Sequence, residues 1–165
     1  MNIGFRVDSS NKIGTGHVHR CLTLAESFKI KGFNNFFISR NDNGNINYKI
    51  RKSKFHVCKL GKKKITKLMD AKKTCEFIKK FKIQYLIVDN YSINFNWEMI
   101  VSKYCKIIII NDILKRKTFC DYFINYHKVS LSKKENNLLI NKTCKKFLGP
   151  KYSLVKKFTY NKSIK

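Results

Sequence analysis

Short apolar runs alternate along the chain with segments of helical periodicity, starting with residues 2–7, which predict a first strand. From Gly16 the apolar positions recur at helical spacing, which predicts a helix. The apolar face of this helix is formed by Val18, Cys21, Leu22, Ala25 and Phe28. Lysines followed by Gly32 predict its end, and Phe36–Ser39 predicts the second strand. The two strands are therefore expected to be parallel and joined by a right-handed crossover.

The same alternation continues to residue 125, after a turn-forming cluster at 41–45. Further helices are predicted at 45–52, 67–80 and 95–104, and further strands at 55–60, 85–89, 106–110 and 122–125. The apolar face of the helix at 67–80 is expected to hold Leu68, Ala71, Cys75 and Ile78. Strands that alternate with helices predict an α/β fold, a Rossmann-like parallel sheet with helices on both faces. Residues 130–145 are polar and predict no element.

Polar residues gather where the predicted strands end. They are Asp8–Ser10, Asp89–Tyr91, Asn111–Asp112 and Asn125. In open parallel sheets, ligands bind beyond the carboxyl ends of the strands. The sequence therefore predicts a binding site at this edge of the sheet.

The composition agrees with one globular domain. The chain has 165 residues, of which 43% are hydrophobic, and this is enough to build a core. The longest apolar run, Ile107–Ile110, is too short to span a membrane, and residues 1–6 lack the pattern of a secretion signal. We therefore expect a cytoplasmic protein without a membrane partner.

The net charge of +26 comes from 36 lysines and arginines against 10 acids. Because these cations are spread through every segment and form no single basic arm with interleaved aromatic residues, specific nucleic-acid binding is not expected. The positive field favours the approach of a small anionic substrate. Six dispersed cysteines without a Cys-x-x-Cys pair predict buried, reduced thiols, and neither disulfides nor a zinc site are expected.

The first predicted strand leads into the loop Gly14–His17 at the start of a helix. Its two glycines let a ligand approach the backbone, and the helix N-terminus attracts negative charge. A tight strand-to-helix connection explains the same glycines. The spacing differs from the dinucleotide-binding motif G-x-G-x-x-G, because His19 stands at the third glycine position. It also differs from a Walker loop, because no Gly-Lys-Ser/Thr follows.

His17 is the candidate catalytic residue of this loop. Near a helix N-terminus the helix dipole disfavours a charged imidazolium, and a neutral ring suits a general base that activates water. A capping or surface histidine is the alternative interpretation. His19 would point away from His17 on the helix, so a metal-binding pair is not expected. Arg20 would share the face of His17, where it either meets an anionic ligand or stays in solvent.

Two strand ends carry further candidates. Asp89 either caps its loop or orients a base or a sugar hydroxyl, and Tyr91 can stack on a substrate or hydrogen-bond to it. Asn111 and Asp112 have the same two interpretations, loop ordering or substrate contact. Trp97 is expected in the core and not at a ligand site, since it lies among the apolar residues of a predicted helix.

Four blocks of the sequence resemble those of one enzyme family. The blocks are Asp8–Ser10 with Ile13–His17, Arg20–Leu22 and Leu24–Ala25; Val88–Tyr91 with Trp97–Glu98; Asn111–Asp112 with Cys120–Asp121 and Asn125; and Leu148–Val155 with Phe158. Their order and content resemble the UDP-2,4-diacetamido-2,4,6-trideoxy-β-L-altropyranose hydrolases of pseudaminic acid biosynthesis. The blocks cover nearly the whole chain, which makes the resemblance more specific than the glycine loop alone.

This family is similar to the two-domain GT-B glycosyltransferases, so the resemblance implies the N-terminal half of a GT-B architecture. It also implies release of UDP by water attack at the anomeric carbon with inversion, on the way to glycans of flagellin or the cell surface. His17 falls on the family's catalytic histidine, and Tyr91 falls on an active-site tyrosine. Substrate-binding residues are expected at Asp8, Gly14, Gly16, Arg20, Asp89, Tyr91, Asn111 and Asp112. The resemblance implies no metal and no cofactor.

The chain is shorter than the family, whose C-terminal domain supplies most of the UDP-binding groups. Residues 1–158 are therefore expected to form the N-terminal domain, and 159–165 a basic tail or the start of a truncated interdomain linker. We expect a fragment, a split gene product or a degenerate copy, whose partners are the UDP-sugar substrate and a separate C-terminal UDP-binding domain. Two other interpretations stay open: the acceptor-side domain of a related glycosyltransferase, and a non-catalytic remnant or binding subunit.

Overall fold

The computed structural model describes residues 1–61, 65–113, 115–127 and 138–154. The strands are β1 (Asn2–Val7), β2 (Asn34–Ser39), β3 (His56–Lys59), β4 (Tyr85–Asp89), β5 (Lys106–Ile110), β6 (Tyr122–Asn125) and β7 (Lys145–Leu148). The helices are α1 (Gly16–Ile30), α2 (Asn47–Lys52), α3 (Lys67–Lys80) and α4 (Phe95–Val101), and a 3₁₀ helix covers Pro150–Tyr152. The strands of the described residues form one sheet in the order β3-β2-β1-β4-β5-β6-β7, with every neighbouring pair parallel.

Helices cover both faces of this sheet, and each face has its own apolar cluster. Leu86 and Val88 of β4 pack into the cluster under α3 and α4, whereas Ile87 packs into the cluster under α1 and α2. The central strands are therefore apolar on both sides, as parallel sheets require. Trp97 of α4 is buried in the first cluster. The predicted Rossmann-like fold and the core position of Trp97 are confirmed.

Three sequence predictions need correction in detail. β2 begins two residues earlier than predicted, because Asn34 pairs with Asn2 at the start of β1 and gives no apolar signal. The helix predicted to reach residue 104 ends at Val101, where a turn follows through the Tyr104 N–H to Val101 carbonyl bond of 3.0 Å. Leu68 lies 53% exposed, not on the apolar face of α3. That helix turns Asp70 inward instead, to meet buried charged partners.

The last strand, β7, follows a segment that the sequence left unassigned. It pairs in parallel with β6 and ends at Leu148. The next residue, Gly149, has a φ of +99°, which suits a residue without a side chain. The end of the fourth resemblance block, including Val155 and Phe158, lies outside the described residues, as does the predicted tail 159–165.

All six cysteines are free thiols, and five of them are buried as predicted. Cys120 and Cys144 have their sulfur atoms 3.5 Å apart across the start of β6 and β7. Within the described residues, no group of three or more His, Cys, Asp or Glu side chains is arranged to hold a metal ion. The helices in this part of the chain are all too short or too polar to cross a membrane.

Candidate active site

A polar cleft of about 200 Å³ lies at the carboxyl edge of the sheet, between the loops that follow β1, β2 and β4. Its lining includes Asp8, His17, Arg40, Asp89 and Tyr91. A larger open hollow between α1 and α2 shares no residue with it and lacks these convergent groups. The polar side chains therefore gather at the carboxyl edge of the sheet, where the sequence predicts them.

His17 is the second residue of α1, and its ring faces the end of β4. The Nδ1 atom lies 2.7 Å from Oδ1 of Asp89, whose side chain is fully buried. A carboxylate only accepts hydrogen bonds, so Nδ1 carries the proton in this pair, and in the neutral form of such a ring Nε2 is an acceptor. Nε2 has no hydrogen-bond partner among the described residues. The pair thus has the geometry of a base held in one tautomer by a carboxylate.

Arg20 holds the same carboxylate from the other side. Its Nε lies 2.7 Å from Oδ2 of Asp89 and its Nη2 lies 2.5 Å from Oδ1, a bidentate pair. The approach of Nη2 to Nδ1 of His17 at 3.2 Å joins two donors, so it reflects their shared acceptor and not a bond between them. Burial opposes the charge of Arg20, but Asp89 outweighs it and raises the pKa of the guanidinium.

Arg20 is not simply solvated, because Asp89 and the hydroxyl of Tyr126 each accept hydrogen bonds from its guanidinium. Its charge neutralises the carboxylate that orients His17. The substrate-binding role expected for Arg20 stays a prediction, and its observed contacts are those of a residue that positions Asp89.

Tyr91 forms one wall of the cleft beside His17. The two rings are 4.8 Å apart between centroids and nearly perpendicular, at 84°. The Tyr91 hydroxyl donates to Oδ1 of Asp112. Burial and this hydrogen bond both raise the pKa of Tyr91, so the phenol stays protonated and remains a donor.

Asp8 lies at the end of β1 and is buried in an ion network. It accepts hydrogen bonds from Arg6 Nη1 at 2.6 Å and Nη2 at 2.9 Å, from the backbone of Arg40 at 2.8 Å, and from Asn90 at 2.7 Å. Burial opposes its charge, but Arg6 outweighs it and lowers the pKa of Asp8. Four donors fill the acceptor sites of a carboxylate. Asp8 therefore joins the loops after β1, β2 and β4, and its predicted contact with substrate stays untested.

Asn111 and the two glycines have mainly local contacts. Asn111 is buried, and its Oδ1 accepts from the backbone of Ile113 at 2.8 Å, which orders its own loop. The Gly14 N–H donates to the Ser10 carbonyl at 2.9 Å and closes a turn, for which its φ of +73° is needed. A side-chain carbon at Gly14 or Gly16 would meet no atom within 4 Å, so both face open space. Their predicted roles in substrate binding stay predictions.

Sequence reasoning missed Arg40, Tyr126 and His127. Arg40 directly follows β2, and its Nε lies 3.4 Å from the buried Asp70, while its Nη atoms form no hydrogen bond with any described residue. Tyr126 and His127 directly follow β6. Tyr126 contacts Arg20, and His127 contacts Asp112. Applying the strand-end rule to the second strand would have found Arg40, and following the chain two residues beyond Asn125 would have found Tyr126 and His127. Asp70 gave no such signal, because it lies in the first turn of a helix.

No protein-family model matches the sequence, and no curated protein matches it. Among solved structures, MurG of Acinetobacter baumannii is similar over 79% of this chain and 42% of its own, with a TM-score of 0.62 and 8% identity. A glycosyltransferase from Rickettsia africae ESF-5 is similar over 73% of this chain and 36% of its own, with a TM-score of 0.51 and 17% identity. The chain spans less than half the length of either protein. At these identities the likeness shows the fold alone, and that fold is the Rossmann-like type found in GT-B glycosyltransferases.

Proposed function

We propose that this chain is the base-carrying half of a nucleotide-sugar enzyme, in which His17 deprotonates an oxygen nucleophile that attacks the anomeric carbon. The observation that carries the proposal is the 2.7 Å contact between Nδ1 of His17 and the buried Asp89 carboxylate, beside a polar cleft. This contact fixes the tautomer that leaves Nε2 able to accept a proton.

In the proposed reaction, this chain contributes His17, Asp89 and Arg20. As the bond from the nucleophile to the anomeric carbon forms and the bond to the phosphate oxygen breaks, Nε2 of His17 takes the proton of the nucleophile. Asp89 then stabilises the imidazolium, and Arg20 holds the Asp89 carboxylate in place. The nucleoside diphosphate leaves with the electron pair of the broken bond. A general base in such a step contributes about 10²- to 10⁴-fold to the rate.

The proposal has two forms, which differ in the identity of the nucleophile. If it is water, the chain belongs to a hydrolase that releases UDP from UDP-2,4-diacetamido-2,4,6-trideoxy-β-L-altropyranose, and the four resembling sequence blocks support this form. If it is a sugar hydroxyl, the chain is the acceptor side of a GT-B glycosyltransferase. MurG and the Rickettsia africae glycosyltransferase are among the similar solved structures, and this observation favours the second form.

The nucleotide side of the site is proposed to come from elsewhere. We place the domain at residues 1–158, with 159–165 as a tail or linker, and propose a separate C-terminal UDP-binding domain as the partner. The net charge of +26 favours the approach of an anionic nucleotide sugar.

Measuring UDP release in ¹⁸O-labelled water distinguishes the hydrolase form of the proposal from the glycosyltransferase form. In the hydrolase form, the protein together with its proposed UDP-binding partner releases UDP without any acceptor. The released UDP contains no ¹⁸O, because water attacks carbon and not phosphorus. In the transferase form, release requires an added sugar acceptor, and a glycoside appears. UDP that carries ¹⁸O would contradict both forms. So would a nucleotide sugar that, with the proposed UDP-binding partner present, releases no UDP and leaves the NMR signals of the His17 ring unchanged.

A further inference from the structure

We propose that Asp112 is a positioning residue that latches Tyr91 against His17, a role that rests on the proposed function of His17 as a base. Asp112 stands where the loops after β4, β5 and β6 meet. Tyr91 comes from the first of these loops and His127 from the third, and both contact the Asp112 carboxylate.

The two oxygens of Asp112 have different neighbours. Oδ1 accepts the hydrogen bond of the Tyr91 hydroxyl. Oδ2 lies 3.5 Å from Nε2 of His127 and 3.9 Å from Nη1 of Arg20. Burial opposes the charge of Asp112, but the Tyr91 hydrogen bond, a backbone hydrogen bond and the nearby Arg20 lower its pKa. The carboxylate is thus an ionised acceptor that is already in use.

The backbone around Asp112 is fixed by its neighbour. Asn111 donates its N–H to the Ile124 carbonyl of β6 at 3.1 Å and accepts from Ile113 through its side chain at 2.8 Å. The first bond ties the loop after β5 to the adjacent strand, and the second orders the loop itself. Asp112 therefore acts from a rigid position, which a latch requires.

Tyr91 needs such a latch, because its own loop fixes only its backbone. Asn90 anchors that loop by donating to Asp8 at 2.7 Å and by accepting from the Ser92 N–H at 2.9 Å. The Tyr91 side chain remains 44% exposed, and no other hydrogen bond holds it among the described residues. The bond to Asp112 therefore selects the rotamer in which the tyrosine ring packs against His17.

The position of Tyr91 restricts the orientation of the His17 ring. Asp89 holds Nδ1, but one hydrogen bond still allows the ring to swing about that contact. The perpendicular contact with Tyr91 blocks this movement from the cleft side. Asp112 thus acts on the base through Tyr91, and its bonds explain its position without any direct contact with substrate.

The ring signals of His17 test this latch without any need for turnover. The chain contains four histidines, so ¹H–¹³C spectra of histidine-labelled protein resolve His17 once the His17→Gln variant has assigned it. In the native protein, the ring current of Tyr91 shifts the His17 signals away from those of an unfolded chain. We expect Asp112→Ala to move them back towards the unfolded value, and Asp112→Asn to retain most of the native shift, since an amide oxygen also accepts the tyrosine hydrogen bond.

Two further variants separate the latch from a general charge effect. Glu76→Ala removes an exposed carboxylate on α3 and should leave the His17 signals unchanged. In the Tyr91→Phe background, Asp112→Ala should cause no additional shift, because the hydroxyl that it binds is already absent. Native signals in a folded Asp112→Ala variant would overturn the proposal, as would equal shifts in the alanine and asparagine variants. If the latch signature is found but UDP release does not depend on His17, the latch stands and the proposed function fails.

Discussion

Replacing His17 by glutamine is expected to lower the rate of UDP release about 10²- to 10⁴-fold, which is the usual contribution of a general base. Glutamine can still donate a hydrogen bond to Asp89, so the buried carboxylate keeps a partner and the fold is preserved. The amide cannot accept a proton from water or a sugar hydroxyl at neutral pH. The loss should therefore appear in the chemical step, measured as kcat in initial-rate assays of UDP release.

His19 offers a matched control for this variant. It lies on the same turn of α1, is exposed, and contributes no group to the cleft. His19→Gln removes an imidazole from the same helix and should leave kcat unchanged. Circular dichroism of both variants checks that the helix is intact. If His17→Gln retains the native rate, or if His19→Gln loses as much, His17 is not the base.

Most helices and strands could be predicted from the sequence, because the hydrophobic pattern that specifies each of them lies within a short segment of the chain. Helix α3 was predicted at 67–80, the bounds that the structure gives. Strands β4, β5 and β6 were predicted with their observed bounds, since each is a short apolar run bounded by polar residues. β7 was missed because it has only four residues, of which two are lysines.

The contacts within the site were not accessible in the same way. His17 meets Asp89 because β4 lies beside β1, and the hydrophobic pattern does not encode the order of strands in a sheet. The spacing of Arg20 on its helix suggested a ligand or solvent, whereas its partner comes from a strand 69 residues away in the sequence. The burial of Asp70 was equally hidden, since only its tertiary partners make an inward carboxylate favourable.

Replacing Arg6 by methionine is expected to lower the free energy of unfolding by about 3–5 kcal/mol, the usual cost of removing one partner from a buried ion pair. Arg6 is fully buried on β1 and binds Asp8 at 2.6 Å and Asp70 at 2.6 Å. Methionine fills a similar volume, so the loss comes from two buried carboxylates that no longer have their shared cation. Urea denaturation followed by circular dichroism measures the change.

The salt bridge between Lys106 and Asp121 provides the comparison. Its 2.8 Å contact is close in length to the 2.6 Å contacts of Arg6, but the Lys106 side chain is 63% exposed. Water solvates the charge that remains after Lys106→Met, so this variant should lose far less stability than Arg6→Met. Similar losses of unfolding free energy in the two variants would show that burial does not make the Arg6 ion pairs more stabilising than an exposed pair.

The pH dependence of the Arg6→Met deficit identifies its cause. In the native protein Arg6 keeps the pKa of Asp8 below its ordinary value, so this carboxylate stabilises the fold above the ordinary pKa and loses that contribution as the pH falls through the lowered one. Without Arg6, burial dominates and raises the pKa of Asp8, and protonation then relieves the buried charge. The deficit should therefore shrink between pH 7 and pH 5. A deficit that stays constant or grows over this interval would mean that lost packing, and not unpaired carboxylates, destabilises the variant.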